Sequence, residues 1–462
     1  MATESSPGGI LFAALPASAR INAVRAVAAE LNSREESGEI WFASTEDRRR
    51  AVESIPGRRP VRFVSIGANR PELDPENWTD EELLAMANSS RLKGFSAFLS
   101  KNVDWEFRDE QYVAVLAAID EARPAVLVVD ALMTGAIDAA LIRGVPYVTI
   151  VTMPVSGVYN ERLPRGYPTP YSGLPFRMSI VQRVRNRLFR LGVIATVLSP
   201  SRVKQYGPMV RARQEAGMAN PASRASLYAD EAAAVIAASV FGIEYPFPPP
   251  PQLKMVGTVL PPEFEQAATS GDDITAWLDA HESVVYIGLG TITRLTEARI
   301  RQLLDAVRRL APHQVLWKVS KRQQALLPPP GEWPENLRVE TWLPSQLAVL
   351  AHPHVKVFVN HGGANAVHEG LYFSQPLLVL PFWMDCHDLA ARVIDSGAGL
   401  AAKDSDAQRT GKAIAEKASR LLAEPSFAER AGHWSRRLRE AGGAKAAADI
   451  VLAQISAASL TA

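Results

Sequence analysis

VKVFVN-HGGANAVHEG-LYFSQP-LLVL, residues 355–380, reads as strand, glycine turn, helix and strand. Val355, Val357, Phe358 and Val359 form a short run apolar on both faces, as in a buried parallel strand. Gly362 and Gly363 let the backbone turn tightly into a helix that starts near Ala364 and covers 363–373. PLLVLP, 376–381, supplies the next strand. A helix N-terminus after a glycine turn presents free N–H groups and the positive end of a dipole, so it suits an anion.

The same alternation extends in both directions. Upstream of 355, the runs SVVYIGLG (283–290), QVLWKV (314–319) and RVETWL (338–343) read as strands, with a helix to about Leu310 between the first two. In the first half, ILFAAL (10–15), EIWFAS (39–44), VRFVSIG (61–67), AVLVVD (125–130) and PYVTIV (146–151) alternate with helical segments. INAVRAVAAEL (21–31) is the first of these helices, with Ile21, Val24, Val27, Ala28 and Leu31 at helical spacing. Between the halves, YPFPPPPQL carries five prolines within 246–251, which fix the backbone as an extended connector. The expected fold class is therefore α/β: two doubly wound Rossmann-like domains facing an interdomain cleft. The expected limits are 1–245, a linker at 246–252, a second domain at 253–430, and helices at 431–462 that pack back toward the first domain.

Composition narrows the function. The chain has 462 residues, 47% hydrophobic and 21% charged, as in an ordinary globular protein of two or three domains. Lys plus Arg number 50 and Asp plus Glu 49, a net charge of +1, so no global field favours nucleic acid and any basic site is local. Cys386 is the only cysteine, which excludes an internal disulfide and a multi-thiolate metal site. A reducing, cytoplasmic setting is expected. No run reaches the ~20 apolar residues needed to span a bilayer, and Ile10–Leu15 is too short for a signal core. GLGTIT (288–293) lacks the third glycine and trailing acidic residue of a dinucleotide fingerprint, and the histidines fit no zinc spacing. No metal is expected.

Polar chemistry concentrates between Trp342 and Asp388. His361 can donate an imidazole N–H to a phosphoryl oxygen, and Asn365 adds an amide beside the turn at Gly363. Glu369, about one turn further along the helix, can accept both hydroxyls of a ribose. Trp342 offers a face for a base, worth about 1–3 kcal/mol by analogy with other base–aromatic stacks. Asp385, beyond a strand end, can accept sugar hydroxyls, and Thr291 after Gly290 can add a hydroxyl to the phosphates.

This run resembles the donor-binding signature of the UDP-glycosyltransferases of the GT-B fold, and its DCHD ending is similar to that of a fungal branch. The signature opens on Trp-x-Pro-Gln, continues as His-x-Gly-x-Asn-Ser-x-x-Glu and closes on Asp-Gln. The resemblance covers about 45 residues and implies that Trp342 stacks on the base, His361 and Asn365 bind the diphosphate, Glu369 binds ribose and Asp385 the sugar. It implies a nucleotide-sugar donor, UDP-linked in the first instance and GDP- or dTDP-linked otherwise, and no permanently bound cofactor. Ser345 is an extra residue before Gln346, which the pattern assigns to ribose or base. Ala366 stands for the family's Ser, and Cys386 for its closing Gln.

The N-terminal segment departs most. LPASARINAVRAV (15–27) resembles the family's first strand–loop–helix, where a Gly-His pair supplies the base that deprotonates the acceptor. Here that pair is Ala19-Arg20, while Asp130 still matches the Asp that orients the base. A guanidinium cannot act as a base near neutrality. Three readings stay open: Arg20 pairs with Asp130 or holds an acidic acceptor, which needs no base; Asp130 or an acceptor-loop group takes the proton; or transfer has been lost. Residues 152–178, with Met153, Val155, Tyr159, Tyr167, Tyr171 and Phe176, form either a wall for a lipophilic acceptor or a packed loop, and Phe95, Phe98 and Trp105 form a second candidate wall. The expected activity is inverting hexosyl transfer to a lipophilic small molecule. The alternatives are a non-catalytic nucleotide-binding subunit and a GT-B enzyme turned to other chemistry.

Overall fold

Short β-branched runs become strands because both of their faces are buried. The structure is a computed structural model and describes residues 9–73, 75–101, 104–218, 226–261, 272–402 and 410–461. The first sheet contains β1 (Ile10–Ala13), β2 (Ile40–Ser44), β3 (Arg62–Ser65), β4 (Val126–Asp130), β5 (Tyr147–Val151), β6 (Ala234–Ala237) and β7 (Leu253–Met255). Their spatial order is β3-β2-β1-β4-β5-β6-β7, all parallel. Leu11 and Ala13 face one core and Ile10 and Phe12 the other, so alternate residues of one apolar run serve two layers of helices. Phe12 and Phe42, both fully buried, stack with centroids 5.8 Å apart.

The second sheet contains β8 (Val284–Gly288), β9 (Gln314–Lys318), β10 (Leu337–Glu340), β11 (Val355–Asn360), β12 (Leu377–Val379) and β13 (Gly399–Ala401). Its order, β10-β9-β8-β11-β12-β13, repeats the plan of the first. In each sheet the order reverses beside the first strand, between β1 and β4 and between β8 and β11. Ligands of doubly wound sheets bind beyond the strand carboxyl ends at such reversals. The register pairs Asn360 with Gly288, which brings the turn after β11 level with the loop after β8.

Two details differ from the expected limits. Leu253–Met255, just past the prolines, pairs with Val235–Ala237 as the edge of the first sheet, because the extended connector leaves it parallel to β6. Helix Pro425–Glu440 buries Ala431, Trp434 and Leu438 against the second sheet's core. Only helix Gly443–Thr461 crosses back, seating Ala447, Ala448 and Val451 in the core beside helix Ser18–Ser33.

Candidate active site between the two sheets

Both reversal points open on one cavity of about 550 Å³. The first sheet contributes Arg20, Leu132, Thr134 and Met153, and the second contributes Thr291, His361, Gly363, Asn365 and Asp385. Six of the ten residues singled out in the sequence therefore share one space: Arg20, Thr291, His361, Gly363, Asn365 and Asp385.

On the second-sheet side, the turn after β11 is built around the His361 ring. Asn360 is fully buried and its Oδ1 accepts from the Gly362 N–H at 2.8 Å, closing the turn. Gly362 has φ of +87°, and a Cβ there would lie 2.8 Å from the Cys386 carbonyl oxygen. A Cβ on Gly363 would lie 2.4 Å from His361 Nε2, and one on Gly290, itself at φ +74°, 2.8 Å from His361 Cε1. Glycines from two strand ends thus make the slot for one imidazole. Burial pushes His361 down to about 4, so the ring is neutral at physiological pH, and Nδ1 has no hydrogen-bond partner among the described residues. A neutral ring with one N–H is a donor available to an incoming oxyanion. Helix Ala364–Tyr372 begins beside it with no side chain capping its first turn, which leaves those N–H groups for an anion. Asn365 spends its side-chain amide across the cleft, donating to the Ala19 carbonyl at 3.1 Å.

Glu369 and Gln346 meet one turn away. Gln346 Nε2 donates to Glu369 Oε2 at 2.7 Å, and Tyr286 donates its hydroxyl to Gln346 Oε1 at 3.0 Å. The extra residue Ser345 is absorbed as an N-cap, its Oγ accepting from Ala348 N at 3.1 Å, so Gln346 opens the helix at the Glu369 carboxylate. Burial pushes Glu369 up to about 7, against the opposing Gln346 hydrogen bond. Trp342 stands clear of these groups, 67% exposed, on the loop after β10. Asp385 precedes helix Cys386–Ser396, and burial, aided by the Asp388 charge, pushes it up to about 6.

On the first-sheet side, Asp130 ends β4 and Arg20 lies in the first turn of helix Ser18–Ser33. Asp130 Oδ1 accepts from Leu132 N at 3.2 Å, and Oδ2 lies 4.0 Å from Arg20 Nη1 with no hydrogen bond. Burial raises the Asp130 pKa, with Arg20 pulling the other way. The 152–178 segment divides between the two roles expected for it. Val155, Tyr159 and Tyr167 belong to the core of the first domain, whereas Met153 and Tyr171 line the cavity with Phe98 and Trp105. Phe95 backs Tyr171, their rings stacked 5.5 Å apart, and Phe176 packs edge-on to Tyr167 outside the cavity.

Sequence reading missed Asp388. Its carboxylate accepts from Tyr171 N at 2.6 Å and Gly173 N at 2.8 Å, so a helix of the second domain holds the loop that lines the first domain's wall. Arg392 Nη1, one turn on, donates to the Asp388 carbonyl at 3.2 Å and Nε lies 3.3 Å from Glu244 Oε2. Nothing local to DCHD announces a partner more than 200 residues away. Among the described residues no cluster of His, Cys, Asp and Glu could hold a metal ion.

Two parallel sheets facing one cavity from their reversal points are the architecture of the GT-B glycosyltransferases. Residues 79–437 match the family described as UDP-glucoronosyl and UDP-glucosyl transferase, and the chain belongs to that family. A UDP-glucuronosyltransferase 2A3 of Cavia porcellus is 26% identical over 326 residues, 67% of this chain and 57% of its own length. The 4'-demethylrebeccamycin synthase of Lentzea aerocolonigenes is 27% identical over 436 residues, 90% of this chain and 92% of its own. Among solved structures, the glycotransferase of kitacinnamycin has a TM-score of 0.72 at 20% identity, covering 98% of this chain and 100% of its own, a likeness of fold. The chain spans little more than half the length of the first mammalian relatives it matches, 57% and 53%.

Proposed function

We propose that the protein transfers a hexosyl group from a UDP-sugar to a lipophilic small molecule, with inversion and without a metal ion, and that the acceptor carries a carboxylate or comparably acidic group. The observation that carries this reading is the opposition, across one cavity, of a neutral imidazole beside an uncapped helix N-terminus and a guanidinium held only loosely by a buried carboxylate. His361, Gly363, the helix N-terminus and Thr291 would take the diphosphate; Glu369 and Gln346 the ribose; Trp342 the base; and Asp385 the sugar. The acceptor would lie against Arg20, Met153, Tyr171 and Phe98. Its oxygen attacks the anomeric carbon as the bond to the diphosphate breaks on the opposite face. The leaving charge is stabilised by groups already oriented toward it.

An ionised acceptor has no proton to lose, which removes the need for the histidine that Arg20 replaces. The 4.0 Å separation from Asp130 supports this, because a guanidinium short of hydrogen bonds to its partner keeps donors for another carboxylate. For a hydroxyl acceptor, Asp130, its proton affinity raised by burial, would have to act from behind Arg20, since it does not itself line the cavity. The donor would belong to the second domain and the acceptor to the first, whose sheet runs on past the prolines through Leu253–Met255. A single buried cysteine supports a cytoplasmic setting.

Calorimetric titration with UDP, GDP and dTDP, followed by product assays on matched carboxylate and hydroxyl acceptors, tests the reading. UDP is expected to bind tightest and the carboxylate acceptors to react. Nucleotide binding without turnover on either class would instead indicate a non-catalytic nucleotide-binding subunit. Absent binding would leave the fold put to other chemistry.

A further inference from the structure

Helix Ile180–Val197 is built with its polar side inward. Asn186 is buried; its carbonyl accepts from Thr169 N at 2.7 Å and its amide donates to the Tyr167 carbonyl at 2.9 Å. Arg190 joins the same turn, donating to Thr169 Oγ1 and the Tyr167 carbonyl, both at 3.1 Å. The apolar side faces out. Ile180, Val184, Leu188, Leu191 and, just past the helix, Leu198 recur at intervals that share one stripe, and they are 79%, 56%, 63%, 56% and 65% exposed. At 1.5 Å per residue the stripe runs about 27 Å. Soluble proteins normally scatter such residues singly, and a continuous exposed band marks an interaction surface.

Charge identifies the partner. From Arg162 through Gln214 the chain holds eleven Lys and Arg residues and no Asp or Glu, in a protein whose net charge is +1. Arg162 and Arg213 are neutralised by Asp230 and Asp138. Exposed Arg183 and Arg187 flank one edge of the stripe and exposed Arg185 the other. An apolar band edged by guanidinium groups matches the acyl boundary and headgroup phosphates of an anionic lipid surface. A second copy of the chain fits poorly, because two-fold pairing through this face sets arginine edges against each other.

We propose that helix Ile180–Val197 docks the protein in the plane of an anionic bilayer. It lies on the surface, since no helix among the described residues is long and apolar enough to cross a membrane. The helix also touches the acceptor wall. Gly192 sits so close to Leu92 that a Cβ would lie 2.6 Å from Leu92 Cδ2, and the helix bearing Leu92, Arg91–Lys101, sends Phe98 into the cavity. Docking therefore sets the cavity beside the lipid, where lipophilic acceptors concentrate.

The test is co-sedimentation of the full chain with vesicles of phosphatidylcholine, with and without phosphatidylglycerol, which needs neither donor nor acceptor and so stands apart from the transfer reading. Expected is partition onto the anionic vesicles that falls as salt rises. The variants L188Q/L191Q and R185Q/R187Q should each lower partition about tenfold, with thermal midpoint and UDP titration as in the parent chain. Protein left in the supernatant of anionic vesicles, or variants that pellet like the parent, would overturn the proposal. So would a dimer in solution that L188Q/L191Q dissolves while vesicle binding is absent, which would assign the stripe to a second copy.

Discussion

The two walls of the cleft use the same device, a strand end turning into a helix at a sheet reversal, yet they are held in opposite ways. On the second-sheet wall, two glycines clamp one neutral imidazole by steric contact alone, so its position is fixed by packing. On the first-sheet wall, a guanidinium and a buried carboxylate face each other at 4.0 Å, and no hydrogen bond fixes their separation. A rigid site suits a constant ligand, as the diphosphate of a donor is. An adjustable ionic site suits a variable one, as acceptors are. The lesson is that preorganisation is distributed unevenly within one cavity, and substitution can expose the asymmetry.

The sharpest break is expected at Gly363. In G363A the new methyl group occupies the His361 slot, displacing the imidazole and forfeiting a charged hydrogen bond of about 1.5–3 kcal/mol along with the turn geometry. UDP affinity by calorimetry should fall about 100-fold, while binding of acceptor alone stays within about twofold. On the other wall, R20A should lower kcat/KM for carboxylate acceptors about 30-fold and leave UDP affinity within about threefold, for loss of one charge-assisted contact. R20H should not restore the carboxylate reaction; equal loss of UDP affinity in R20A would remove Arg20 from the acceptor side.

Smaller effects sharpen the comparison. W342A should weaken UDP about tenfold through loss of base stacking, read by the same titration. E369Q carries a pH signature. The Glu369 pKa is raised to about 7 in the folded protein, so its contribution to stability is fully present below the ordinary carboxylate value near 4.5 and lost as pH rises through 7. The variant should therefore melt a few degrees above the parent at pH 8 and alike at pH 4, with UDP affinity down about threefold. His361 has the opposite sign: its folded value near 4 means stability present above 6.5 and lost as pH falls through 4. A melting curve of H361A against pH should lack that acid loss.

Much of the fold was legible because doubly wound strands are apolar on both faces, and β11 and its helix Ala364–Tyr372 fall where the residue pattern expects them. The strands β6, β7 and β13 escaped because β6 lies in an alanine-rich run that suits either element, and β7 and β13 lack the longer apolar run that carries the equally short β12. His361, Gly363 and Asn365 could be expected to share one space because one strand–turn–helix delivers all three. The Gly290 cradle and the Asp388 clamp join residues far apart in sequence, and only the register of β8 with β11 and the closure of the domains bring them together. For Ile180–Val197 the periodicity gives a helix but not its facing. Amphipathicity is symmetric to which side is buried, and here the hydrogen bonds of Asn186 decide against the apolar one.

The Asn365 side chain stands at the head of helix Ala364–Tyr372 while its amide donates to the carbonyl of Ala19, next to Arg20. The amide nitrogen carries two N–H groups, so one can stay on the Ala19 carbonyl while the other is free to meet a phosphate. Under the proposed reading one side chain would then touch both halves of the cleft at once, and loading the nucleotide would steady the helix end that carries Arg20.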